Sequence, residues 1–145
     1  MGRAINPMLA RRQLVGGFAQ GLGGAPYEEF RYDTHGQPLS ATLLDYALPR
    51  CCHVPPVDVL VTEDAPTPLN PLGIKTVGEG GITGVGAAIA AAIDEAIGTP
   101  GAVTRLPATP QRIRAMLHAA ASTHTARTSV ISDAADEDNA DTYTI

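Results

Sequence analysis

The stretch Lys75-Thr76-Val77-Gly78-Glu79-Gly80-Gly81-Ile82-Thr83-Gly84-Val85-Gly86 carries the reading of this chain. It runs directly into an Ala/Ile-rich segment in which Ile89, Ile93 and Ile97 recur four residues apart and Gly98 follows. That spacing predicts a helix with one apolar face, closed by a C-cap glycine. A glycine-rich turn at a helix start presents free backbone N–H groups, a natural contact for an anion or cofactor. The stretch is not a Walker loop, because no Gly-Lys-Ser/Thr follows. Nor is it a dinucleotide fingerprint, since Gly81, Gly84 and Gly86 give the reversed spacing GxxGxG. Glu79, flanked by Gly78, Gly80 and Gly81, has no bulky neighbour in sequence. Two roles fit it. One is a helix-end acid, worth about 0.3–1 kcal/mol against the helix dipole; the other is a general base with room left for a substrate.

Upstream, residues 7–25 read as a helix with Asn6 as cap and Pro7 in the first turn. Leu9, Gln13, Gly16, Gly17, Gln20 and Gly24 share a small, polar face, and Leu14, Phe18 and Leu22 form an apolar stripe. The glycine face suits close approach of another backbone or of a ligand. Tyr27–Tyr32, the turn Asp33–Gly36, and Pro38–Leu44 predict a hairpin, and Val57–Thr62 is the strongest strand signal. Val103–Leu106 reads as a short strand. Thr109 and Pro110 open a last helix that runs to Ala121. The expected fold is α+β, a small, mostly antiparallel sheet with flanking helices. Its expected extent is residues 1–121, and the polar, acidic residues 122–145 read as a disordered tail.

The chain has 145 residues and a net charge of −5, with ten Lys and Arg outnumbered by fifteen Asp and Glu. That balance argues against a nucleic-acid partner. No unbroken apolar run approaches the roughly 18 residues of a membrane span, and the expected location is cytoplasmic. Cys51 and Cys52 are adjacent, so free thiols are expected over a strained vicinal disulfide. No metal-ligand set is predicted. Fifteen Gly, twelve Pro and no Trp suit a piece that wraps around something else.

Taken together, these segments resemble the molybdenum hydroxylases: xanthine dehydrogenase, aldehyde oxidase and the large subunit of aerobic carbon monoxide dehydrogenase. The resemblance runs in order from Gly2 to about Ala119. It rests on the Gln-x-x-Gly-Gly-x-x-Gln-Gly-x-Gly helix, Tyr27-Glu28-Glu29, Asp45-Tyr46-x-x-Pro49, and the Lys75-x-Val77-Gly78-Glu79 loop. It implies the C-terminal part of a molybdopterin-binding domain, with the cofactor often in its cytosine dinucleotide form. By the same resemblance Glu79 is the catalytic base of a water-derived hydroxylation. Gln13 contacts the pterin, Lys75, Thr76, Val77 and Gly78 run past it, and Gln20 matches a family position too. Implied partners are the remainder of the large subunit, an iron–sulfur subunit and a flavin subunit. Arg12 and Pro26 depart from the family pattern without removing a chemical group. The family's members are several times longer, so a second expectation stands beside the first: a truncated, non-catalytic remnant that binds a related large subunit. A third, an independent phosphate or nucleotide binder built on the glycine-rich loop, has only the glycines to support it.

Overall fold

The computed structural model describes residues 1–122. Helix α1 spans Pro7–Leu22; the Asn6 side chain accepts the Leu9 N–H at 3.1 Å, as the cap reading expects. The expected helix to residue 25 ends earlier in α form. A π-helical turn, Gly23–Tyr27, continues it and accommodates Pro26. A 3-10 turn, Gly78–Gly81, precedes helix α2, Val85–Ile97, which closes on left-handed Gly98 at φ 72°. Helix α3 covers residues 110–122. Thr109 Oγ1 accepts the Arg112 N–H at 3.4 Å at its start. Ser122, read as tail, ends this helix, and the rest of the expected tail lies outside the described residues.

The Asp33–Gly36 turn forms where expected. Asp33 Oδ1 accepts the N–H groups of His35 and Gln37 at 2.8 and 2.9 Å, and Gly36 sits at φ 80°. Its flanks pair through one antiparallel bridge, Tyr32 with Pro38. No other strand pairing forms among the described residues, so Val57–Thr62 and Val103–Leu106 run without a ladder.

The stretch Gly78–Ile97 has a mean hydropathy of 1.3 and the length of a membrane span. It is not one helix. The 3-10 turn and three turn residues precede thirteen α-helical residues, which rise only about 20 Å, short of the roughly 30 Å hydrocarbon layer. Only 6% of it is buried; most of the α2 alanines are exposed, while Ile89, Ile93 and Ile97 are half-buried.

The buried apolar set is small: Ala10, Leu22, Ala25, Val85 and Ala108. Leu22, Ala25, Val85 and Ala108 sit where α1, the π turn, α2 and the entry to α3 converge, and Ala10 lies nearer the start of α1. The Ala108 N–H donates to the Ala25 carbonyl at 2.6 Å, and Arg112 forms an ion pair with Glu29, joining α3 to the segment after the π turn.

Candidate active site

Helix α1 and the 78–81 turn meet backbone to backbone. A Cβ on Gly81 would stand 2.0 Å from the Leu14 carbonyl oxygen, and one on Gly17 would stand 3.1 Å from the Gly78 oxygen. One helical turn on, a Cβ on Gly21 would stand 2.6 Å from the Val85 Cβ. No side chain larger than hydrogen fits Gly81 without moving backbone, so the turn is held where α1 puts it. Gly17 and Gly21 therefore serve close packing within the chain. A Cβ on Gly16 or Gly24 would meet nothing within 4 Å.

This clamp sets the position of Glu79. Its backbone carbonyl accepts the Ile82 N–H at 3.1 Å and the Thr83 hydroxyl at 2.9 Å. Its side chain is exposed, and its carboxylate has no hydrogen-bond or ion-pair partner among the described residues. The N–H groups of Thr76, Val77, Gly78 and Glu79 likewise donate to nothing among the described residues.

Gln13, Lys75 and Val77 come together. They line an open groove of about 260 Å³ with Arg3, Asn6 and Ile74 among its other walls. Gln13 and Lys75 are exposed, and Val77 is half-buried. Thr76, Gly78 and Glu79 continue along the same loop, exposed, beyond the groove itself. Gln20 is exposed and lies outside it.

Sequence reasoning missed Arg3 and Asn6 as groove residues. The Arg3 N–H donates to the Gly73 carbonyl at 3.1 Å, which holds the first residues beside the 73–75 loop. A Cβ on buried Gly2 would stand 2.4 Å from that same Gly73 oxygen. The signal available was Gly2 itself, a glycine before an arginine where the family resemblance begins. Cys51 and Cys52 are free and exposed, as expected, and the neighbouring His53 stacks on Tyr27 with ring centroids 4.8 Å apart.

A family model described as a molybdopterin cofactor-binding domain matches residues 1–55. Over 112 residues, 77% of this chain, the sequence is 52% identical to 6-hydroxypseudooxynicotine dehydrogenase complex subunit gamma of Paenarthrobacter nicotinovorans. It is 34% identical over 113 residues, again 77% of the chain, to nicotine 6-hydroxylase large subunit of the same organism. The structure is similar to quinoline 2-oxidoreductase from Pseudomonas putida 86, with a TM-score of 0.74 and 36% identity over 81% of this chain. The chain belongs to the molybdenum hydroxylase family. It spans 14% of the length of the two curated relatives and 15% of the solved structure.

The matched domain, residues 1–55, contains Gln13, whereas Glu79 and its loop lie beyond it. The wall built by a molybdenum hydroxylase chain should offer hydrogen bonds to a ligand rich in oxygen and nitrogen and bearing phosphate. The residues present fit that demand. Four uncommitted N–H groups, the Gln13 amide and the Lys75 ammonium supply donors, and the open Gly16 and Gly78 positions leave space. A site enclosing a drug-sized ligand takes about 300–1,000 Å³, more than the roughly 260 Å³ of this open groove.

Proposed function

We propose that this chain is the part of a molybdopterin-dependent oxidoreductase large subunit that contributes the catalytic base, Glu79, and one wall of the cofactor site. Gln13, Lys75, Thr76, Val77 and Gly78 are that wall. The observation that carries the reading is the contrast within one short turn. Its backbone is clamped to α1 through Gly17 and Gly81, while the Glu79 carboxylate and four N–H groups remain uncommitted. A structural helix-end acid would be expected to take up a nearby N–H, and this one takes none.

When bound, the molybdenum cofactor supplies the two-electron chemistry of an oxidation whose oxygen comes from water. Glu79, on an anchored main chain, takes up the proton that the water loses at its uncommitted carboxylate. Gly78 beside it, where a Cβ would meet nothing within 4 Å, leaves room for a substrate carbon. Gln13 orients the cofactor through an amide that both donates and accepts, and Lys75 offsets its negative charge. The cytosine dinucleotide form of the cofactor, iron–sulfur and flavin subunits that carry the electrons away, and a cytoplasmic location belong to the same proposal.

The decisive experiment is Glu79→Gln in the assembled complex. General-base catalysis contributes about 10²–10⁴-fold, so turnover should fall by at least about 10²-fold at unchanged molybdenum content. Near-normal turnover at full molybdenum occupancy would sink the assignment. The exposed apolar surface also suits the second reading, a non-catalytic piece bound to a related large subunit. A purified complex that contains such a subunit, lacks molybdenum and has no activity would establish that reading instead.

A further inference from the structure

Residues 55–67 form the longest stretch of the described chain without helix, turn or bend. Within it, burial alternates: Val57, Val59 and Val61 are half-buried, while Asp58, Leu60 and Thr62 are exposed. That period of two is the geometry of a pleated strand, and β-branched valines favour it. From Val57 to Val61, no backbone N–H or C=O forms a hydrogen bond among the described residues. Pairing begins only at Thr62, whose carbonyl accepts the N-terminal ammonium at 2.8 Å. Pro55 and Pro56 before the valines, and Pro66 and Pro68 after them, bound the segment with residues that cannot donate.

An unpaired strand about 17 Å long leaves two rows of backbone groups open, which folded proteins cover or blunt. Nothing here blunts it. The segment has no lysine and one charge, and Leu60 stands 89% exposed on the outward face. The candidate cover follows from length: this chain spans 14% of its curated relatives, so most of a large subunit lies outside these residues. We propose that Val57–Val61 docks by strand addition onto the edge of a β-sheet in the rest of the large subunit, with Leu60 packed under that sheet's apolar cover. The inference rests on the preceding reading of the chain as part of a large subunit. In strand addition the main-chain hydrogen bonds give affinity, and alternate side chains give specificity.

The test uses the complex of this chain with the rest of the large subunit, purified through a tag on this chain, its partner identified by mass. Hydrogen exchange of peptides covering Val57–Val61 should run at least about 100-fold slower than for unpaired amides. Val59→Pro removes one N–H and should cut partner recovery about tenfold or more, whereas Val59→Thr, which keeps the backbone donor, should leave recovery intact. Fast exchange of 57–61 in the partner-bound complex overturns the proposal, as does equal recovery with Val59→Pro. Protection found only in a dimer of this chain, or no large-subunit polypeptide on the purified protein, overturns it as well. Loss of the Glu79 assignment would leave the exchange result standing, and fast exchange would leave the Glu79→Gln result standing.

Discussion

At the junction of α1 with the 78–81 turn, glycines bring backbone against backbone; along 57–61, valines hold an extended chain whose backbone groups meet nothing among the described residues. The first region is complete within the chain because close approach needs only the absence of side chains at Gly17, Gly21 and Gly81. The second cannot be complete alone, because a strand satisfies its polar groups only through a neighbouring strand. The difference explains the thin core. Among the described residues the buried apolar side chains are Ala10, Leu22, Ala25, Val85 and Ala108, with no large side chain fully buried, while Leu44, Leu69 and Leu60 are 98%, 92% and 89% exposed. Each large apolar side chain left in water forgoes about 1.5–3 kcal/mol, which five buried residues, three of them alanines, do not replace.

The largest consequence concerns the separated chain. Without its partner it should show no cooperative, monomeric melt by calorimetry and should self-associate or aggregate. A sharp, high-temperature monomeric transition would erase the distinction between the two regions.

Next in size is a pair of glycine substitutions on the closed region. Gly81→Ala forces a methyl onto the Leu14 carbonyl and should cost more than about 2 kcal/mol, read as a lowered thermal midpoint of the assembled complex. Gly16→Ala, in α1 with open space around it, should gain roughly 0.5–1 kcal/mol of helix stability, seen as increased helical circular dichroism. Gly16 lies three residues on from Gln13 on one helix face, so the same methyl should lower molybdenum content. Unchanged metal loading in Gly16→Ala would show that this face does not meet the cofactor.

On the open region, Leu60→Ser should leave the circular dichroism of the separated chain unchanged and weaken its association with the rest of the subunit. An equal loss in both measurements would show that Leu60 is already used within the chain.

The smallest effect lies between the two regions. The Tyr46 hydroxyl donates to Glu28 Oε2 at 2.8 Å. That hydrogen bond, with partial burial and the Glu28 charge, raises the Tyr46 pKa above its ordinary value. The folded state thus holds this proton more tightly than the unfolded chain. Its contribution is fully present below about pH 10 and is lost as pH rises through the folded value. Ultraviolet titration of the complex should show one late-ionising tyrosine, absent in Tyr46→Phe and shifted down in Glu28→Gln. No change in Glu28→Gln would remove the carboxylate as the cause.

Features set by near neighbours were legible in the sequence. Asn6 before Pro7, Thr109 before Pro110, and Gly98 after Ile97 each act within four residues, and each forms as read. Element lengths were less legible. The Leu9-to-Gly24 pattern concealed a change to π-helical hydrogen bonding at Gly23, and Ile82–Gly84 stay in turns ahead of α2, in line with the weak helix propensity of Thr and Gly. At the site, Gln13, Lys75 and Val77 were named through family resemblance, and the fold gathers them in one groove. Arg3 and Asn6 join that groove from the far end of the chain, a placement no local spacing records.

Gly16 and Gly17 mark the boundary between the two kinds of information. By itself the sequence determined that α1 would carry a stripe of small residues, that the 75–86 stretch would turn before a helix, and that Glu79 would sit among glycines. Tertiary structure alone decided that Gly17 faces the Gly78 carbonyl and Ile82 nitrogen while its neighbour Gly16 faces open space. Two identical adjacent residues differ because successive positions on a helix point about 100° apart, and only the docking of a turn some sixty residues away selects which direction is filled.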